Sequence, residues 1–347
     1  MDGLAHAAVA AEPPSIPLND IQCAVRRQYG IDGDFSPLVS ERDQNFHLKS
    51  TAGHEYVVKV TSSAEPAIVS EFHIAALLHL ETIETPRVPK IVRTLEKQTS
   101  GDIRYAGKNH MLRVVSYLEG APMASVCMDQ KMASDFGAAL AGLDIGFLGF
   151  SHEGECPVLL WDLQRATELR ELLDHIDDPN VRRSVTHALH DFQTLVTPML
   201  GKLRCQVIHG DANPGNVLTD PRSHRVTGFI DFGDMVRAPL VFDVAIAAAY
   251  LRTEDTDPLD LIAPFVVAYN TARPLKDVEM TLLFDLVRAR LATTITLLFW
   301  RMAARHHDDP YRKKTRDEEA GAIHFLDALD ALGRAEFSTR MKRALLR

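Results

Sequence analysis

The sequence predicts an α+β protein in two parts: a strand-rich first third carrying one long helix, then a mainly helical remainder. Three observations predict it. Short segments separated by polar turns run to about residue 118, Glu119-Gly120-Ala121-Pro122 interrupts both strand and helix, and helical periodicity dominates beyond. At 347 residues the chain has room for two cores. Its 46% hydrophobic and 24% charged content is that of a globular chain, not a disordered one.

The elements follow in order. Residues 1–17 are Ala- and Pro-rich without a basic stretch, and read as a loose leader rather than a signal peptide. Asn19-Asp20 is placed to cap a helix containing Ile21, Val25 and Tyr29 that stops at Gly30. Strands are expected over 35–40, 44–50 and 55–61, with Thr51-Ala52-Gly53 as the clearest hairpin signal. Ile68, Phe72, Ala75 and Leu78 give one apolar stripe, predicting a helix over 64–82 that Pro86 and Pro89 stop. Strands over 90–95 and 110–118 should flank a turn at Ser100-Gly101-Asp102. The expected organisation is therefore a leader (1–17), a strand-rich part (18–118), a linker (119–122) and a helical part (123–347). Within the last, helices are expected over 125–147, 165–175, 181–203 and 275–304, and strands return between Gln206 and Asp231 around the loop 209–216.

Composition excludes some functions. A net charge of -9 does not suit a broad nucleic-acid footprint, and the run Arg312-Lys313-Lys314 reads as a solvated helix end. Cys23, Cys127, Cys156 and Cys205 are scattered without C-x-x-C spacing, so neither a disulfide framework nor a structural zinc site is expected. No apolar run approaches the ~18 residues of a membrane span. The expected setting is the reducing cytoplasm, with no nucleic-acid or membrane partner; oligomeric state is left open.

The chemistry concentrates in Val207-Ile208-His209-Gly210-Asp211-Ala212-Asn213-Pro214-Gly215-Asn216 and in Ile230-Asp231-Phe232-Gly233-Asp234. An apolar strand ends in His-Gly-Asp, an asparagine follows five residues after the aspartate, and a second apolar strand ends in Asp-Phe-Gly. This is the layout of phosphoryl transfer. Mg²⁺ takes hard oxygen ligands, which Asn216 and Asp231 can supply, and Asp211 is placed to orient the attacking hydroxyl and accept its proton. Either motif alone is weak, since a lone Asp is usually a turn former; together and in order they are specific. His209 is read as a structural member of the loop.

Tyr56-Val57-Val58-Lys59-Val60 places one lysine inside an apolar strand, a costly position unless an anion partners it. Glu71, on the following helix, is the expected partner, in the arrangement that holds the α- and β-phosphates in kinases. An exposed lysine on an edge strand is the alternative. No glycine-rich phosphate loop precedes Lys59, and the segment 40–48, containing Gln44 and Asn45, is its expected glycine-free substitute.

These motifs, with Asp43-Gln44-Asn45-Phe46-His47, Leu112-Arg113-Val114-Val115-Ser116-Tyr117-Leu118-Glu119-Gly120 and Leu160-Trp161-Asp162-Leu163, resemble the aminoglycoside phosphotransferase and choline kinase group of small-molecule kinases. Within that group the resemblance is greatest to hydroxylysine-kinase and homoserine-kinase-like members. It implies a two-lobed protein-kinase-like fold with an antiparallel sheet and one long helix in the N-lobe and a helical C-lobe. It further implies ATP or GTP as donor with Mg²⁺, and purine contacts through the backbone of Ser116, Tyr117 and Leu118. Asp211 becomes the base, Asn216 and Asp231 the metal ligands, Lys59 and Glu71 the phosphate anchor, and Asp243 the orderer of the catalytic loop. The implied acceptor is a small hydroxylated amine or amino acid, 5-hydroxylysine first; homoserine, amino alcohols and aminoglycosides are alternatives, and a nucleotide-binding pseudokinase is the alternative of another class. For the acceptor site, Asp234 is a candidate for an ammonium, Trp161 for the aliphatic stem or a cation–π contact, and Arg237 and Arg290 for a carboxylate. Trp161 in the core and Arg290 in a helix-surface pair are the competing readings.

Overall fold

The computed structural model describes residues 13–40, 42–82, 86–220, 222–223, 225–252, 257–303 and 310–346, the side chains of 310–319 excepted, so the Arg312-Lys313-Lys314 run lies outside the described side chains. The chain forms two units, one of residues 1–119 with 150–158 and 228–233, the other of 120–149, 159–227 and 234–347.

In the first unit Pro17, not an Asn19-Asp20 cap, opens helix α1 (Leu18–Tyr29), which Gly30 closes at φ 69 by donating to the Arg26 carbonyl. The segment ahead of it is not a loose leader throughout. Ile16 is buried and exchanges two hydrogen bonds of 2.9 Å with the Gln44 side chain. Strands β1 (Gly33–Leu38), β2 (Gln44–Ser50) and β3 (Glu55–Val60) lead to helix α2 (Ala67–Leu80), and then come β4 (Gly101–Tyr105) and β5 (Lys108–Ser116). They form one antiparallel sheet in the order β1-β2-β3-β5-β4. Ile21, Val25 and Tyr29 of α1 pack with Leu48, Val58, Val60, Leu112 and Val114, which makes this face of the sheet the core of the unit.

One expected turn is a strand. Gly101-Asp102 belongs to β4, and the reversal lies at Ala106-Gly107, both at positive φ (49 and 78). The two-residue turn that requires such angles normally advertises itself with Asn-Gly or Asp-Gly, and Ala-Gly does not. Residues 90–95 hold only an isolated bridge, Ile91 to Val115, instead of a strand.

The second unit begins with β6 (Ala121–Pro122) and helix α3 (Gln130–Gly146), whose Asp129 cap accepts from the Met132 N–H. Tight 3-10-type turns over Leu163–His175 replace the expected helix there. Helix α4 (Pro179–Asp191) continues as a π-helical turn over Phe192–Val196 and a 3-10 helix over Thr197–Lys202. β7 (Cys205–Ile208), β8 (Val217–Asp220), β9 (Arg225–Phe229) and β10 (Val236–Pro239) frame the two motif loops, with β10 antiparallel to β7 and β6 antiparallel to β8. β9 carries the chain back to the first unit at Gly228. The remainder is helical: α5 (Leu240–Ala248), α6 (Leu259–Ala272), α7 (Asp277–Ala303), α8 (Pro310–Leu332) and α9 (Arg334–Leu345). Gly137 lets α3 approach α6 closely, because a Cβ there would stand 2.0 Å from the Phe265 carbonyl oxygen.

Between the same two helices Asp144 is fully buried, and its Oδ2 accepts from the Tyr269 hydroxyl at 2.5 Å. Burial holds this carboxyl well above the usual carboxylate range, and the charge of Asp243 adds to the effect. A raised native pKa means that the folded state keeps a proton the unfolded state releases. The stability this group contributes is whole below the ordinary carboxylate pKa of 3.8 and drains away as pH rises toward the native value. Asp144→Asn, which mimics the neutral acid, should therefore gain stability over the wild type as pH increases. Urea unfolding at pH 5 and pH 8 checks this, and a gap that stays constant or shrinks refutes the protonated state.

Candidate active site

The loop after β7 is built around a glycine and a buried carboxylate. Gly210 adopts φ +77, and a Cβ on it would lie 2.4 Å from the Asp234 carbonyl oxygen, so glycine alone fits both the angle and the space. Asp243, at the start of α5 and fully buried, accepts from the backbone N–H groups of His209 and Gly210, each at 3.0 Å. His209 is also fully buried, and its Nδ1 accepts from the Asp211 N–H at 3.3 Å. The backbone that carries Asp211 is thus held by two buried side chains.

Asp211 itself is gripped on both carboxylate oxygens. Oδ2 accepts from Asn213 Nδ2 at 2.8 Å and Asn216 Nδ2 at 2.9 Å, while Oδ1 accepts from Arg290 Nη2 at 3.1 Å. Asn216 Nδ2 also donates to the Asp211 carbonyl at 3.0 Å. With its nitrogen committed to Asp211, Asn216 has its amide oxygen as the group to offer a cation, which is the hard donor a small divalent metal takes. Motif reasoning alone misses Asn213 and Arg290 as partners of Asp211. Asn213 sits in the motif, and an amide two residues after an aspartate is a usable signal; Arg290 is 79 residues away and leaves none.

In the first unit, β3 presents Lys59 and the segment after β9 presents Asp231, whose Oδ1 lies 3.5 Å from Lys59 Nζ. Asp231 adopts φ 59, a left-handed conformation that Asp and Asn tolerate better than other side chains. The expected Lys59–Glu71 pair is not formed. Glu71 is exposed on α2, which turns Ser70, Phe72, His73 and Ile74 inward instead. The residue of α2 electrostatically coupled to Lys59 is His73, held neutral well below the usual imidazole range, first by burial and then by Arg113, Lys59 and Arg42.

Residues 34–277 match the family model described as the phosphotransferase enzyme family. The chain belongs to that family. Hydroxylysine kinase of Danio rerio is 26% identical over 340 residues, covering 94% of this chain and 95% of the relative. Among solved structures, a microcompartment-associated aminopropanol kinase superposes with a TM-score of 0.70 at 17% identity, covering 95% of this chain and 99% of the other. Amicoumacin kinase in complex with AMP-PNP and Ca²⁺ gives 0.69 at 14% identity, covering 92% and 95%. The antiparallel sheet and helical remainder are the fold of these kinases, and the protein is an enzyme of the phosphotransferase class.

The other expected site residues of this phosphotransferase are placed as follows. Gln44 is spent on Ile16, so its side chain anchors the start of the described chain instead of covering a nucleotide. Gln44 already belongs to β2, and the connection between β1 and β2 is confined to 39–43, of which residue 41 lies outside the described residues. Asn45 lies in register with Lys59, and its Oδ1 is buried without a hydrogen-bond partner. The Ser116 N–H donates to the Lys90 carbonyl and the Tyr117 N–H to the Glu55 carbonyl, which removes two of the expected purine donors and leaves the Leu118 N–H in that segment. The Tyr117 ring packs on His47 with centroids 4.3 Å apart.

Arg290 is buried and committed to the protein's own groups: Asp211, the Tyr250 hydroxyl at 3.2 Å and the Trp161 carbonyl at 3.2 Å. Its Nη groups are thus spent on Asp211 and two other protein oxygens rather than left for an acceptor carboxylate, while its Nε is buried without a partner. Arg301 lies over the Trp161 ring at 5.6 Å, so that ring already carries a cation–π contact from within the chain. Arg237 sits on β10 opposite Val207, half-buried, and its carbonyl accepts from Gln164 at 3.1 Å. Asp234 is half-buried and electrostatically coupled to Arg290. Among the described residues no helix is long and apolar enough to cross a membrane, and all four cysteines are free thiols.

Proposed function

We propose that this enzyme transfers the terminal phosphoryl group of ATP or GTP to the hydroxyl of a small hydroxylated amino acid, 5-hydroxylysine first, in the cytoplasm. The observation that carries the reading is the clamped carboxylate of Asp211, following a strand, with an amide neighbour whose nitrogen is spent on it. Similarity along nearly the whole of a hydroxylysine kinase directs the choice of acceptor. The amicoumacin kinase complex, which holds a nucleotide analogue and a divalent cation, supports a nucleotide donor with a metal.

In this reading the first unit takes the nucleotide and the second supplies the base. Lys59, 3.5 Å from Asp231, neutralises the donor phosphates. Asp231 and the Asn216 amide oxygen are the groups that would hold Mg²⁺, which would supply charge neutralisation of the phosphate oxygens. Asp211 orients the acceptor hydroxyl and takes its proton as the new O–P bond forms and the bond to the nucleoside diphosphate breaks. A half-buried Asp234 close enough to couple with Arg290 offers an ammonium-bearing acceptor its counter-charge.

A coupled assay tests this with 5-hydroxylysine, homoserine, an amino alcohol and an aminoglycoside, each with ATP and GTP. Turnover should be fastest with 5-hydroxylysine and require Mg²⁺. Silence with 5-hydroxylysine beside turnover of another acceptor overturns the acceptor, and silence throughout overturns the reading.

A further inference from the structure

Lys59 is not the only lone cation in an apolar strand of the sheet. Arg113, in Leu112-Arg113-Val114-Val115 of β5, is its register partner, and Asn45 of β2 is its partner on the other side. Residues opposite one another in adjacent antiparallel strands share a face, so Asn45, Lys59 and Arg113 form one polar row across the sheet.

Arg113 is 6% exposed, yet its guanidinium donates only to the Thr61 hydroxyl, 3.1 Å from Nη2, and its Nε is buried without a partner. Among the described residues no carboxylate pairs with it. A guanidinium is almost never buried that way, because the desolvation cost is repaid only by an anion or a full set of acceptors. His73 repeats the pattern. It is 3% exposed and its Nε2 also lacks a partner. The charges of Arg113, Lys59 and Arg42 disfavour its protonation, and Asp231 opposes them. This corner of the first unit therefore holds a buried guanidinium with no carboxylate on it and two buried nitrogens with unused hydrogen-bonding capacity.

We propose that Arg113 is a ligand of the nucleotide polyphosphate, joined by His73, on the sheet face it shares with Lys59. The inference rests on the nucleotide-dependent reading above and extends it to a residue outside the kinase motifs. A polyphosphate chain supplies what the protein lacks here: several anionic oxygens able to accept from Arg113 Nε and from His73 Nε2. The guanidinium fork suits a phosphate, and the neutral imidazole adds a donor without adding charge. It also assigns a function to the absence of a glycine-rich loop, since side-chain donors on the sheet take over part of the work of backbone N–H groups.

Calorimetric titration of AMP-PNP and GMP-PNP with Mg²⁺, the corresponding nucleosides, and tripolyphosphate tests this on the wild type, Arg113→Met, Arg113→Lys and His73→Phe. Arg113→Met should weaken triphosphate and tripolyphosphate binding about ten- to hundredfold and nucleoside binding less than twofold. Arg113→Lys should fall between, and His73→Phe should lose about three- to tenfold. Without ligand, Arg113→Met should melt no lower than the wild type, because a buried cation with no counter-charge has been removed. Unchanged triphosphate affinity, parallel loss of nucleoside and triphosphate, or a lower melting temperature for ligand-free Arg113→Met each overturns the proposal. A wild type that binds no nucleotide overturns the donor reading instead; if it still takes tripolyphosphate through Arg113, the ligand is a polyphosphate from another source.

Discussion

Replacing Asp211 by alanine should lower phosphoryl transfer about a hundred- to ten-thousandfold while triphosphate affinity stays within a few-fold of wild type. The separation follows from where the groups reside. Asp211 stands in the second unit, on a loop braced by Asp243 and His209, whereas Lys59 and Arg113 belong to the sheet of the first. In the proposed mechanism the substitution removes the proton acceptor and leaves the proposed phosphate anchors untouched. It also strands Arg290, which is 4% exposed and loses its carboxylate hydrogen bond. A melting-temperature decrease of a few degrees is therefore expected, on the order of 1–3 kcal/mol. Adding Arg290→Met should restore most of that stability and none of the turnover. Single-turnover rates, nucleotide titration and melting curves together check this. A rate loss below tenfold, or one recovered by the second substitution, removes Asp211 from the role of base.

Residues whose chemistry is set by their immediate neighbours are legible in the amino-acid sequence. His209 to Asn216 and Asp231 to Gly233 can be read there because a strand end, a tight loop and an oxygen donor leave their mark within a dozen residues. Lys59 is legible as a lone cation in an apolar strand. Arg113 carries the same signal in β5, within a stretch that resembles the family but outside the phosphoryl-transfer motifs, so only its burial and its unpartnered Nε bring it out. Glu71 misleads for a different reason. Helix phase decides which side chain faces the sheet, and α2 is so apolar that its stripe is broad; Glu71 falls outside it and His73 inside. Arg290 of α7 reaches Asp211, and Tyr250, just after α5, reaches Arg290, by tertiary packing that no local pattern encodes. Gln44 shows the reverse error, a polar residue assigned to a ligand that is instead bound to the chain at Ile16.

Asp231→Asn should reduce kcat/KM by about a thousandfold, the scale of losing a metal-borne electrostatic interaction worth several kcal/mol. Because Asp231 combines two demands, three substitutions separate them. Its backbone sits at φ 59, which asparagine accepts, glycine adopts freely and alanine adopts at a cost of about 1–2 kcal/mol. Its carboxylate pairs with Lys59 at 3.5 Å and is the charged oxygen donor that the proposed mechanism offers to the metal, which none of the three replacements supplies. Activity should therefore be lost alike in Asp231→Asn, Asp231→Gly and Asp231→Ala, while melting temperature should be lowest in the alanine variant. Raising Mg²⁺ should not rescue any of them, since asparagine's neutral oxygen does not replace a carboxylate in holding a cation against water. Should asparagine retain activity within tenfold of wild type, the carboxylate is not a metal ligand. Should alanine melt with asparagine, the left-handed conformation carries no strain that the side chain relieves.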